Sequence, residues 1–114
     1  MKQVVDLQSS KEFQALGVEV LSISPDSVQS WAKNDASMGI HTPTLSDAGN
    51  RVANAYGVMR WKMPSGEPGH TFVLVGRDGS VTWIRDYGAA EHGGLMYVNP
   101  NDLVPQVAAH LEGS

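Results

Sequence analysis

Two apolar runs, TFVLV (71–75) and SVTWIRDY (80–87), flank the four residues GRDG (76–79), and this stretch has the fewest ways to fold. β-Branched and aromatic residues on both sides of an Asp-Gly pair specify two antiparallel strands joined by a tight turn. A lone hairpin is marginal in water, so one of its faces must be covered by other elements. The rest of the chain offers them. VEVLSIS (18–24) is mostly apolar, bounded by Gly17 and Pro25, and reads as a strand covered on both faces.

Residues 1–16 have helical composition but imperfect periodicity: Val5, Phe13 and Leu16 share one face, while Val4 and Leu7 point elsewhere. The helix is either buried on two sides or broken between Ser9 and Ser10, where Ser9 and Glu12 fit a capping box. Ser24 followed by Pro25 predicts the cap and first position of a second helix, with Val28, Trp31 and Ala32 inward and Gly39 as its stop. HTPTLSD (41–47) reads as irregular or briefly extended. Asp47 or Ser46 then caps a short helix that turns Val52, Ala55 and Tyr56 inward and ends at Gly57. WKMPSGEPGH (61–70) and GAAEHGG (88–94) are loops. A last helix carries Leu103, Val104, Val107 and Leu111, and Pro105 fits it only if the helix starts near Asn101 or Asp102. Helices flanking one strand, then a hairpin and a final helix, indicate a single α/β sandwich with a mixed sheet.

Composition removes several function classes. The 114 residues include no cysteine, which excludes disulfides, thiolate metal sites and thiol redox catalysis by this chain. A net charge of −4, with eight Lys and Arg that never form a run, argues against a nucleic-acid surface. No stretch approaches the roughly 18 apolar residues of a membrane span, and no apolar run before Asp6 suits a signal peptide. The expectation is a cytoplasmic protein with no membrane contact.

The side chains that could carry chemistry are scattered. His41, His70, His92 and His110 make none of the spacings that place two imidazoles on one metal, so no metal and no cofactor is expected. Asp26 and Asp47 are better explained as helix caps, and Asp78 as a turn residue. Glu91 and His92 put an acid and a base in one loop, but adjacent residues rarely face each other productively. Trp61 is the tryptophan expected to be exposed, whereas Trp31 and Trp83 read as packing residues.

GVEVLSISPDS, TPTLSDAGNRVANAYGV and TFVLVGRDGSVTWI, in that order, resemble the alkyl hydroperoxide reductase / thiol-specific antioxidant group of peroxiredoxins. The resemblance runs over most of residues 2–111. It rests on S-x-D after the first strand, L-S-D before the short helix, A-x-x-Y-G-V at its end, and F-x-x-x-x-x-D-G in the hairpin. It implies a thioredoxin-like fold and, in the family, reduction of hydroperoxides through a cysteine thiolate. The departures are as informative. The family's catalytic cysteine opens the helix that here begins at Met1, so the resemblance makes this domain N-terminally incomplete, a truncated thioredoxin-like sandwich without that cysteine or the strand that delivers it.

The family's second site, a cis-proline or an arginine just before the hairpin, falls in Pro68, Gly69, His70 and Thr71. Counting back from Phe72 puts glycine at either position, and Pro68 fits the proline role only with a shift of one residue. His70 is the histidine to watch there. The missing strand belongs between residues 18–24 and 72–75, so the expectation is a sheet completed from outside. The expected arrangement is a homodimer through shared strands or an exchanged N-terminal helix, with another protein partner as the alternative. The activity expected is that of a non-catalytic, self-associating or partner-binding remnant. Three alternatives stand beside it: a cysteine-free enzyme, a ligand binder using His70 and the 88–94 loop, and a piece of a longer peroxiredoxin.

Overall fold

The computed structural model describes residues 2–111; Met1, where the first helix was expected to start, and residues 112–114 lie outside it. The opening segment breaks between Ser9 and Ser10 into α1 (Lys2–Ser9) and α2 (Lys11–Gln14). Ser10, not Ser9, is the cap: its hydroxyl accepts the Phe13 amide at 3.1 Å. The break re-aims the apolar side chains, so that Val4, Leu7 and Phe13 are buried while Val5 is only half-buried. Ser10→Ala is expected to cost about 1 kcal/mol, read as a lower urea midpoint at unchanged slope. No shift would mean that α2 does not depend on this cap.

The strand expected over 18–24 is paired only at β1 (Ser22–Ser24). Its partner, β2 (Thr44–Ser46), lies in the segment read as irregular or briefly extended and runs parallel to it, Ile23 opposite Leu45. Coverage on both faces is not what the fold provides. Val18, Val20, Ser22 and Ser24 are half-buried, whereas Glu19, Leu21 and Ile23 are exposed. This period of two shows that the segment is extended along its whole length with one face inward.

Between them, α3 (Val28–Met38) starts later than expected, capped by Ser27 and closed by Gly39 in the left-handed region. Ser24 bonds instead to Asp26, its hydroxyl donating to the carboxylate at 2.6 Å, so neither residue caps the helix. Of the three residues expected inward, only Trp31 is buried; Val28 is 69% exposed and Ala32 is also outside. Asp47 does act as a cap, its two carboxylate oxygens accepting the Val52 and Ala53 amides at the head of α4 (Arg51–Ala55). Those amides hold its carboxyl below the usual range. The buried side of this helix is Ala53, followed by Val58, not Val52, Ala55 and Tyr56. With only five residues, α4 buries a single position.

The hairpin forms as expected. β3 (Thr71–Val75) pairs antiparallel with β4 (Val81–Asp86), with Thr71 opposite Asp86 and an irregularity between Leu74 and Val75. Asp78 serves the turn by accepting the Ser80 amide at 2.9 Å. The last helix, α5 (Pro100–Leu111), begins one residue before the expected start, so Pro105 falls in its second turn. Asn99 caps it through its backbone and side-chain oxygens. Helices α1, α2 and α5 cover the hairpin around Leu7, Phe13, Leu74, Tyr87, Val98, Leu103 and Val107. The mixed sheet thus exists as two halves, a parallel pair and an antiparallel pair.

Candidate functional site

Each half-sheet is one pair wide, so β1 and β3 keep one unpaired edge each. Residues 18–24 and 71–74 line the same cleft, of about 490 Å³. None of β2 and only Trp83 of β4 reaches it, which places the two unpaired edges on the cleft side. Leu7, Phe13, Leu103 and Val107 contribute apolar surface from the helices, and Trp31 contributes from α3. An unpaired strand edge is a row of main-chain donors and acceptors that templates pairing with another chain.

Pro68, Gly69, His70 and Thr71 also line this cleft. No described peptide bond is cis, so Pro68 does not adopt the family's cis-proline geometry. A Cβ on Gly69 would lie 2.6 Å from the Trp61 carbonyl oxygen, so no arginine fits there without moving the backbone. His70 is tied inward. Gln3 uses its oxygen to accept the Val98 amide at 2.7 Å and its nitrogen to donate to the Val98 carbonyl at 2.8 Å. That fixes the amide orientation, so the His70 Nε2–H must be the donor in its 2.8 Å bond to the same Gln3 oxygen. Burial pushes the imidazole pKa down, against the pull of Asp86. Gly88 lies so close to this residue that a Cβ there would be 2.7 Å from the His70 main-chain nitrogen.

The second cluster centres on a residue that sequence reasoning passed over. Asp86 ends β4 with its side chain fully buried. It accepts the Thr71 hydroxyl, the Ala89 amide and the His92 Nδ1–H, each at 2.8 Å. Burial would push the carboxyl up, but these donors outweigh it and the net shift is down. Trp61 meets the His92 ring edge-on at 5.7 Å and carries the Arg60 guanidinium 4.0 Å over its face. Asp86 therefore ties the start of β3, at Thr71, to the 88–94 loop, where His92 meets Trp61. Glu91 is exposed and joins none of these bonds. The only sequence signal for Asp86 was a carboxylate at the end of an apolar run, and for Gln3 an amide on an otherwise amphipathic helix. The Gln3–Val98 pair spans 95 positions, whereas Asp86 reaches 15 positions back to Thr71 and three and six forward to Ala89 and His92.

His41 donates its amide to Gln8. His110 donates Nδ1–H to the Gln106 carbonyl and stacks on Trp83. Among the described residues no three His, Cys, Asp or Glu side chains converge on a point where a metal could bind. No described helix is long and apolar enough to cross a membrane. The Thr71 hydroxyl beside the Asp86–His92 pair is committed to the carboxylate itself.

A model of the AhpC/TSA family matches residues 2–84. A selenocysteine-containing peroxiredoxin, PrxU of Peptoclostridium acidaminophilum, is 52% identical over 54 residues, covering 41% of this chain and 27% of that protein. Two solved structures each match over 95% of the chain. AhpC of Mycobacterium tuberculosis has a TM-score of 0.72 at 17% identity, with 59% of its own chain covered. AhpC of Enterococcus faecalis has 0.70 at 26%, with 64% of its chain covered. The chain thus spans under two thirds of the length of these relatives, and the thioredoxin-like fold expected from the sequence is the fold observed.

Proposed function

Because the chain belongs to the AhpC/TSA family and carries no cysteine, we propose that it acts as a binding module and that its cleft takes up an added β-strand. The observation that carries this reading is the pair of open edges, β1 and β3, on one cleft. An entering strand exchanges bonds to water for two ladders of main-chain hydrogen bonds and covers apolar surface as well. A segment of another polypeptide suits the cleft better than a strand from a second copy. All four described strands are already paired within the chain, and a copy lending one would first have to unpair it. The N-terminal helix is also engaged at home, through Gln3 and through the Tyr97 hydroxyl on Asp6.

The test is thermal unfolding with and without a nine-residue peptide of alternating valine and serine, together with hydroperoxide turnover. At tenfold excess over Kd the peptide is expected to add about 1.4 kcal/mol, which raises Tm by several degrees. Turnover is expected to equal that of a heat-killed control. Turnover above that control removes the non-catalytic reading, and an unmoved Tm removes the strand-accepting one. A concentration-resistant dimer by light scattering assigns the strand to a second copy, as in the homodimer expected from sequence.

A second reading is favoured by the length covered and by the selenocysteine-containing relative. In it these 114 residues are a piece of a longer peroxiredoxin whose own strand fills the cleft and whose reactive residue is a cysteine or selenocysteine. Sequencing the DNA upstream of the codon for Met1 decides it. An in-frame strand ending in a cysteine codon or UGA supports this reading, and an unrelated or out-of-frame sequence removes it.

A further inference from the structure

With no cysteine in the 114 residues, every sulfur atom belongs to a methionine thioether. A hydroperoxide oxidises such a thioether to the sulfoxide, and exposure sets which one it reaches first. Among the described residues, Met96 is 53% and Met38 40% exposed, while Met59 and Met63 are half-buried. Of these four, only Met96 lines the cleft with the open edges. Its position there is fixed by the main chain on either side. The Leu95 amide donates to the Tyr87 carbonyl and the Val98 amide to the Gln3 side chain, each at 2.7 Å. The sulfur lies over Gly88, where an added Cβ would be 3.2 Å from Met96 Sδ and 3.2 Å from His70 Cβ. The thioether thus packs beside His70 while about half of the residue stays open to solvent.

We propose that Met96 is an oxidation site for hydroperoxides and that its sulfoxide weakens uptake of a strand by the cleft. This rests on the strand-accepting reading and adds its regulation. In the step, a sulfur lone pair attacks one peroxide oxygen, and an S–O bond forms as the O–O bond breaks. The departing oxygen takes the proton of the transferred hydroxyl and leaves as water or alcohol. Sulfur gives up two electrons and the peroxide accepts them, so no cofactor is needed. The product replaces an apolar, flexible side chain by one with a strong hydrogen-bond acceptor. In the open cleft, water solvates that oxygen. A seated strand displaces the water, and covering a polar group without giving it a partner is costly. Met38 ends α3 outside the cleft, so its oxidation lacks this consequence.

The full chain is treated with hydrogen peroxide, mapped by mass spectrometry, and titrated with the nine-residue valine–serine peptide before and after treatment. Sulfoxide is expected at Met96 and Met38 ahead of Met59 and Met63. The oxidised chain is expected to bind the peptide about tenfold more weakly, the worth of one polar group covered without a partner. Met96→Leu is expected to bind as the untreated chain does, with no change on treatment, whereas Met38→Leu weakens as the wild type does. Met96→Gln, polar and of similar length, is expected to bind weakly with no oxidant present, which covers peroxide damage elsewhere in the chain. A loss that persists in Met96→Leu, or equal binding before and after Met96 is oxidised, overturns the role of Met96 and leaves the strand-accepting reading intact. Met96 oxidising no faster than Met59 and Met63 does the same. If the untreated chain binds no peptide, both fall.

Discussion

Leu103→Ala is expected to lower stability by about 3–5 kcal/mol, a large fraction of the ~5–15 kcal/mol of an ordinary domain. Leu103 is 1% exposed and packs within the cluster that holds α5 against the hairpin. It also lines the cleft. Truncation there enlarges a void that already exists, so neighbours on the cleft side cannot close over it, and the cost lies toward the upper end for such a substitution. Val28→Ala is the control, because Val28 is 69% exposed and its change should stay within about 0.5 kcal/mol. Urea unfolding of both variants measures the difference. If Leu103→Ala costs no more than Val28→Ala, α5 is not seated as described.

Asp86→Ala is expected to cost about 3 kcal/mol, because three donors lose a shared, charged acceptor. Two of them, Ala89 and His92, hold the 88–94 loop, and the third ties Thr71 to the end of β4. Asp86→Asn should recover only part of this. Its amide retains one accepting oxygen and places a donor where donors already point.

The pH dependence has a definite sign. The folded carboxyl titrates below its usual value, so its contribution is complete above the unfolded pKa of about 3.9 and is lost as pH falls through the folded pKa. The stability gap between wild type and Asp86→Asn should be flat above about pH 5 and shrink below about pH 4. A gap that stays constant down to pH 3 would mean that the carboxylate is not the acceptor.

What could be read from the sequence was what local chemistry fixes. The β3–β4 hairpin follows from two β-prone runs and an Asp-Gly turn. The break between Ser9 and Ser10, the stop at Gly39 and the Asp47 cap each follow from one or two neighbouring residues. Errors appeared where a helix face had to be chosen. Val28, Ala32, Val52, Ala55 and Tyr56 were expected inward because periodicity gives a stripe but not what lies against it, and these two helices bury only Trp31 and Ala53. The segment of β2 could be read only as irregular or briefly extended because three residues carry too little pattern, and its pairing depends on β1 lying beside it.

The candidate site divides in the same way. The loops around His70, Trp61 and His92 stood out as sequence, but the residues that organise them, Gln3 and Asp86, did not. A glutamine on a helix and an aspartate at a strand end are commonplace until folding sets them against Val98, His70, Thr71 and His92. By itself the sequence determined the family, the lack of cysteine in these 114 residues and the order of the elements apart from β2, since each depends on residue type and near neighbours. Only the tertiary structure decided that the sheet stands in two halves around a cleft with open edges. Whether a strand is paired, and whether a buried N–H finds an acceptor, depends on what lies across space from it.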